Sequence, residues 1–440
     1  MANLRQFWSD LRASFWLVPA MLVAAGILLA LMLLAWDMLV EDQVLLWILG
    51  LSSAGVAGIL AVFAGSLITV AGVLLGLKLI ALAQTANQYS SDILYDFERE
   101  RADQMVLGGF LGIAAYCLVV LGAILGIGGS IGIPVLAVWG SVLLTLAALG
   151  LLIYFMEHFA RSLQVTTVLA RILAQTQNAV ARNFPDLWGE GDDNRPGPML
   201  PEGLGQTILA LKTGYIQQIN QEALLHFART HRTPARMERA VGEFVIQGTP
   251  LVSLLRGSHP DQPTTRALNK LYTIGPRRTI RQDPTFGVQQ TVDISLKALE
   301  TDDRSTAVMG IDTLTALFVD LVSRRIEPPH GFAHGVLWII GKGPSFADLL
   351  RQVFGQLRQQ AQGNAPIIRH MLEALATIAS RTRSPQRRQG LLEQVRHVGE
   401  MAEETVPAYQ DGADLRAYVR YLVAQLEHSR STWQAEDLMR

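Results

Sequence analysis

Long apolar stretches dominate the first 156 residues, and after them apolar positions recur at helix or strand spacing between polar ones. Phe15–Trp36 is 22 residues without a charge. At about 1.5 Å per residue it crosses a hydrocarbon core of roughly 30 Å. The run is too long for a signal peptide and no small-residue cleavage site ends it, which predicts an uncleaved span over about 15–36. Trp16 and Trp36 lie at its ends, where amphipathic rings prefer the membrane interface. Val44–Ala83 is 40 residues with one charge, Lys78. The reading adopted is a short interfacial helix over Val44–Leu51 and one long span over 55–83, with two separate passes as the alternative. Further spans are expected over 107–126 and 133–156, joined by the apolar turn Gly126–Pro134.

Past the fourth span the pattern changes. Phe159, Leu163, Thr166, Ala170 and Leu173 repeat at helical spacing, so the helix is expected to run on continuously to Arg182. Asn183–Gly205 holds four prolines and five glycines and reads as a linker. Lys212–Ile219 and Ala240–Leu254 read as strands around glycine turns, with a helical insert over Gln221–His231. Helices are expected from Pro284 and from about Ser305, then over Ser345–Gln360, Pro366–Ser380, Gln386–Glu404 and Asp411–Leu426. Gly335–Gly343 reads as a hairpin. The expected organisation is a transmembrane domain with its juxtamembrane helix (1–182), a linker (183–202), a small β-rich module (203–256) and a mainly helical cytoplasmic domain (264–440). The fold class is mainly α, a four-helix transmembrane bundle followed by an α+β region with a helical tail.

Composition sharpens this. Half of the 440 residues are hydrophobic and 17% are charged. Residues 1–156 carry 5 Lys/Arg and 9 Asp/Glu, which leaves 32 and 29 for the rest of the 37 and 38. The net charge of −1 argues against a nucleic-acid partner. The single cysteine, Cys117, excludes an intramolecular disulfide and a cysteine-rich metal site. Arg5 and Arg12 precede the first span, the loop at Asp37–Gln43 is acidic, and Arg161, Arg171 and Arg182 follow the last. Both termini are therefore expected in the cytoplasm of a bacterial inner membrane.

Candidate functional residues are few. Ala57, Ala61, Gly65, Thr69, Gly72 and Gly76 form a small-residue stripe on the second span, suited to close packing of another backbone. That backbone belongs either to the same bundle or to a subunit contact or pore-lining face. Leu74 is placed on the opposite side, against lipid. Lys78 either snorkels to the headgroups or faces a cavity. In the second half, Arg278, Gln282, Asp283 and Gln290 flank Phe286, and with Asp302 and Asp303 they form one candidate cytoplasmic contact cluster, either for a subunit or ligand or as plain folded core. Asp302 and Asp303 stand at a helix start as a cap or a divalent-cation site. His330 and His334 lack a carboxylate partner, and Gly341-Lys342-Gly343 lacks Walker A spacing. No catalytic or metal motif and no cofactor is expected. The glycine hairpins resemble those of biotinyl/lipoyl-like barrel-sandwich folds, but the attachment lysine between methionines is missing, so no prosthetic group is implied.

The phrases SFWLVPA, GSLITVAGVLLGLKLIALA, IYFMEHFARS, GYIQQI, GEFVIQGTPL and RTIRQDPTFGVQQTVDISLKAL together resemble a bacterial family of predicted membrane proteins, from about Ser14 to Leu426. The resemblance implies four spans and a cytoplasmic C-terminal region, and it implies no activity. The family's turn Asn-Asp-Pro-Thr-Thr-Ala reads Asp302-Asp303-Arg304-Ser305-Thr306-Ala307 here, without the proline, and Lys78 stands at a position usually uncharged. Two functions fit: a homo-oligomeric, channel-like protein gated or assembled by its cytoplasmic domain, and a membrane-anchored scaffold or ligand sensor binding a cytoplasmic partner. An enzyme comes third.

Overall fold

The computed structural model describes residues 16–39, 52–88, 101–126, 134–162, 164–183, 206–255, 261–280, 282–324, 326, 331–333, 336–382, 384–407 and 410–437. The chain divides into two compact units, Met1–Gln164 and Val165–Arg440, each taken by itself below.

The first unit is built from α1 (Leu17–Leu39), α2 (Ser53–Gln88), α3 (Arg101–Gly126) and α4 (Val135–Ser162). All four are long and apolar enough to cross a membrane. The 36 residues of α2 form one unbroken helix of about 54 Å, so the two-pass alternative is set aside. Ser52 Oγ accepts the Gly55 amide at 3.2 Å at the helix start. The expected surface helix at Val44–Leu51 lies outside the described residues.

Helix α3 is central and packs against α1, α2 and α4. Its approach to α1 is backbone to backbone. A Cβ on Gly112 would stand 2.6 Å from the Leu22 carbonyl oxygen, and one on Gly108 2.8 Å from Pro19 Cα. Gly26 on α1 faces Gly112 in turn. With no hydrophobic force between helices in lipid, such close packing and a few polar bonds hold the bundle. The polar bonds run between helices. Asp37, at the end of α1, caps α4 by accepting the Leu136 and Ala137 amides at 3.1 and 3.0 Å. Tyr116 Oη donates to the Ala137 carbonyl at 2.7 Å inside the bundle.

The second unit opens with α5 (Val165–Asn183). The expected continuous helix is broken: α4 ends at Ser162 and α5 begins at Val165. Thr166 and Ala170 are exposed, and the buried face is Val168, Leu169, Ile172, Thr176, Ala179 and Val180. This helix belongs to the second unit and not, as the sequence reading had it, to the transmembrane domain.

A β-rich module follows: β1 (Gln206–Leu209), β2 (Gly214–Ile219), α6 (Gln221–Thr230), β3 (Ala235–Met237), β4 (Phe244–Val245), β5 (Pro250–Leu254), α7 (Gln262–Lys270) and β6 (Tyr272–Gly275). It extends past the expected limit at 256, because β6 pairs with β2 in a three-stranded sheet ordered β4-β2-β6. Gly248 turns between β4 and β5 with φ +84°, a left-handed conformation that suits glycine.

The helical part contains α8 (Pro284–Glu300) and α9 (Arg304–Val322), then β7 (Gly331–Ala333) and β8 (Val336–Ile340). It ends in α10 (Phe346–Gln360), α11 (Ala365–Ala379), α12 (Pro385–Thr405) and α13 (Gln410–Asp437). The hairpin expected within Gly335–Gly343 instead pairs β7 with β8, one strand earlier. Strand β8 then runs parallel to β3, so a late hairpin completes a five-stranded sheet, β1-β5-β3-β8-β7. Helix α9 is a fifth helix of membrane-crossing length and hydropathy. It packs against α5, α8 and α11, with Leu314, Leu317 and Phe318 buried. Its exposed side carries Asp312, bonded to His370 at 2.7 Å.

Candidate functional site

The small-residue stripe lies on the outer side of α2. Ala57 is buried, but Ala61, Gly65, Thr69 and Gly72 are exposed and Gly76 is partly so. A Cβ built on Gly65, Gly72 or Gly76 meets nothing within 4 Å. Thr69 turns its hydroxyl back to the Gly65 carbonyl at 2.8 Å, which leaves an unobstructed face. The opposite side holds α2 in the bundle. Leu67, Ala71 and Leu74 are buried in one apolar cluster with Phe110 and Ala114 of α3. Leu74 is thus a core residue, contrary to its expected place against lipid.

Lys78 sits on this inner side. Its Nζ is 2.8 Å from Asp103 Oδ2, and both side chains are nearly covered. The snorkelling expectation is therefore replaced by an ion pair between α2 and the first turn of α3. Asp103 was missed because the third span was begun at 107, which left the acid in a loop. A charge inside an apolar run needs a partner at matching depth, and that is the signal that points to it.

The polar group near residue 280 joins the β module to α8. Arg278 donates to Asp283 Oδ2 through Nη2 at 2.6 Å and Nε at 3.1 Å. Its guanidinium carbon stands 5.0 Å from the Phe286 ring centroid. Thr285 Oγ1 donates to the other Asp283 oxygen. Asp283 is buried, so the pairing offsets the cost of removing its charge from water. Gly242 is required here twice: its φ is +87°, and any Cβ would strike Asp283. Gln282 Oε1 accepts the Ile219 amide at 2.9 Å. Gln290 is buried in α8.

Asp302 and Asp303 stand beyond the other end of the 17-residue α8, about 25 Å of helix away. The cluster named from sequence is therefore two separate places. Asp303 caps α9, accepting the Thr306 amide at 3.1 Å and its hydroxyl at 2.7 Å. Those two bonds hold its carboxyl below the usual carboxylate range. Asp302 is exposed, with φ +56°, and pairs with Arg304 at 3.3 Å. The described residues contain no group of three or more His, Cys, Asp or Glu able to hold a metal. His330 and His334 lie outside the described residues. Lys342 donates to the Glu238 carbonyl at 3.1 Å and pairs with Glu243 at 2.9 Å, so it fastens the late hairpin to the β module.

Residues 12–377 match a family described as "Predicted membrane protein (DUF2254)". The chain is 29% identical over 377 residues to the uncharacterised protein MT1328 of Mycobacterium tuberculosis (strain CDC 1551 / Oshkosh), covering 82% of this chain and 71% of that protein. The uncharacterised protein Mb1321c of Mycobacterium bovis (strain ATCC BAA-935 / AF2122/97) shows the same identity and coverage. No solved structure matches.

Proposed function

Since the chain belongs to this family of predicted membrane proteins, we propose that it is the protomer of a homo-oligomeric, channel-like membrane protein in which copies meet along α2. The observation that carries this reading is the unobstructed small-residue face from Ala61 to Gly76 on a helix otherwise fixed by its opposite side. Small residues in a membrane helix are useful where another backbone comes close, and among the described residues none does at Gly65 or Gly72. Among the described residues the buried side chains of the four helices are mostly apolar, so in this reading a path forms between copies. In this reading the protein is not an enzyme. It lies in a bacterial inner membrane with both termini cytoplasmic, and the second unit gates or assembles the oligomer, alone or with a cytoplasmic partner.

The test is the mass of the purified protein in lipid nanodiscs or mild detergent. Gly72→Leu fits the protomer sterically and should shift the protein toward monomer. Leu143→Val, on the exposed side of α4, should leave the mass unchanged. A wild-type protein that is monomeric at every concentration would refute the reading.

A further inference from the structure

One end of the β module is built with its apolar residues turned outward. In and after β1, Ile208 and Ala210 are each 1% exposed, while Leu209 and Leu211 are 44% and 46% exposed. In and after β4, Val245 is fully buried, while Phe244 and Ile246 are 48% and 56% exposed. Strand alternation normally places polar residues on the outer side. Here four large apolar side chains occupy it on two neighbouring loops.

The loops are fixed to one another. The Ala210 amide donates to the Thr249 carbonyl and the Gly248 amide to the Ala210 carbonyl, both at 2.9 Å. The Gln247 amide donates to Thr213 Oγ1 at 2.9 Å. Asn269 of α7 clamps the first loop, accepting the Leu211 amide at 2.9 Å and donating to the Leu209 carbonyl at 3.0 Å. The apolar side chains are thus carried on preorganised backbone, and their display needs no further ordering.

Basic residues border this tip. Lys212 is exposed beside Leu211. Arg266 and Lys270 are exposed on α7, three residues before and one after the clamping Asn269. Two acids near the tip in sequence already have partners. Glu243 is held by Lys342 at 2.9 Å and Arg239 at 3.4 Å. Asp261 caps the far end of α7 through the Thr264 amide.

We propose that this tip, Leu209, Leu211, Phe244 and Ile246 with Lys212, Arg266 and Lys270, docks on an anionic lipid surface. Apolar side chains that enter the headgroup boundary and cations that meet anionic headgroups are the two halves of interfacial binding. A second copy is the poorer occupant, because a symmetric contact would bring the same cations together. The membrane helices of the same chain keep lipid at high local concentration, so a weak contact suffices.

The test uses the full chain in vesicles with Cys117 replaced by Ala. If that background folds poorly, Cys117 is kept, since it is buried. Leu211→Cys or Ile246→Cys carries an environment-sensitive fluorophore, and Gln359→Cys on α10 serves as an exposed control. Vesicles are phosphatidylcholine alone or mixed with phosphatidylglycerol, with brominated lipids as quenchers. The proposal expects a blue shift and quenching at 211 and 246, but not at 359, in anionic vesicles. It expects loss of both in neutral vesicles, at high salt, and in Lys212→Glu/Arg266→Glu/Lys270→Glu. Anionic lipid faces both sides of the vesicle, so the result does not depend on topology. Labels unquenched in every lipid would overturn the proposal. So would quenching indifferent to charge, or self-quenching between labelled copies, which would make a second copy the occupant.

Discussion

Gly108 and Gly112 on α3 and Gly65 and Gly72 on α2 are the same residue type in neighbouring apolar helices, in opposite circumstances. The first two are filled against by the α1 backbone, and the second two face open space. Glycine spacing alone does not distinguish them. The difference lies in which side of the helix carries the large apolar residues. On α2 the core side is Leu60, Leu67, Leu74 and Lys78, and the stripe is on the other side. On α3 the glycines are themselves the contact. A small-residue pattern by itself therefore does not show that a backbone approaches; the bulky residues show which side of the helix is packed within the protomer.

Changes on the two sets should give effects that differ in size and sign. Gly112→Leu is expected to have the largest effect. It sets side-chain atoms against the Leu22 carbonyl, and backbone must move, so the cost should exceed the roughly 3 kcal/mol that overpacking commonly reaches. Folded yield and thermal stability in lipid measure it. Asp103→Asn should cost about 3 kcal/mol by leaving the Lys78 charge buried without its carboxylate. The double change Lys78→Met/Asp103→Leu should recover most of that, and a cycle without recovery would show that the pair does not hold α2 to α3. Leu74→Ala should cost about 2 kcal/mol, as a core truncation does and a lipid-facing one does not.

The second unit offers a smaller comparison of the same kind, between Asp303 and Asp302. Asp303→Ala removes a cap and should cost about 1 kcal/mol. Asp303 has a folded pKa below its unfolded value, so its contribution is present above about pH 3.9 and lost as pH falls through the folded pKa. The difference between wild type and Asp303→Ala should therefore shrink in acid, as read by unfolding midpoints across pH. Asp302→Gly should instead stabilise by a few tenths of a kcal/mol, since its φ of +56° suits glycine. Gly72→Leu closes the series with a gain of similar size in protomer stability, because leucine is the better helix former and fits the open space.

Periodicity and charge made the membrane helices, the glycine-turned strands and the C-terminal helices legible. Pro284 at the start of α8 and Asp303 as the cap of α9 are local signals, read locally. What escaped depends on distance in sequence. The parallel pairing of β8 with β3 joins residues about a hundred apart, and nothing near Ile339 announces Ala235. The Lys78–Asp103 pair likewise joins residues 25 apart in sequence. The break after Ser162 escaped because Leu163 and Gln164 are ordinary helix residues, so no proline or glycine marked it. Of the candidate residues, Arg278 stands over the Phe286 ring and holds Asp283, while Gln282 reaches Ile219 instead. Asp302 and Asp303 were grouped with them only because sequence proximity says little about two ends of one helix.

The most direct test of the α2 contact is cysteine cross-linking in native membranes, in a Cys117→Ala background. Gly65→Cys, Thr69→Cys and Gly72→Cys should each form an oxidant-dependent dimer. Leu67→Cys on the core side and Leu143→Cys on α4 should not. Absence of dimer at all three stripe positions, or equal yield at Leu143→Cys, would contradict the claim that copies meet along the small-residue face.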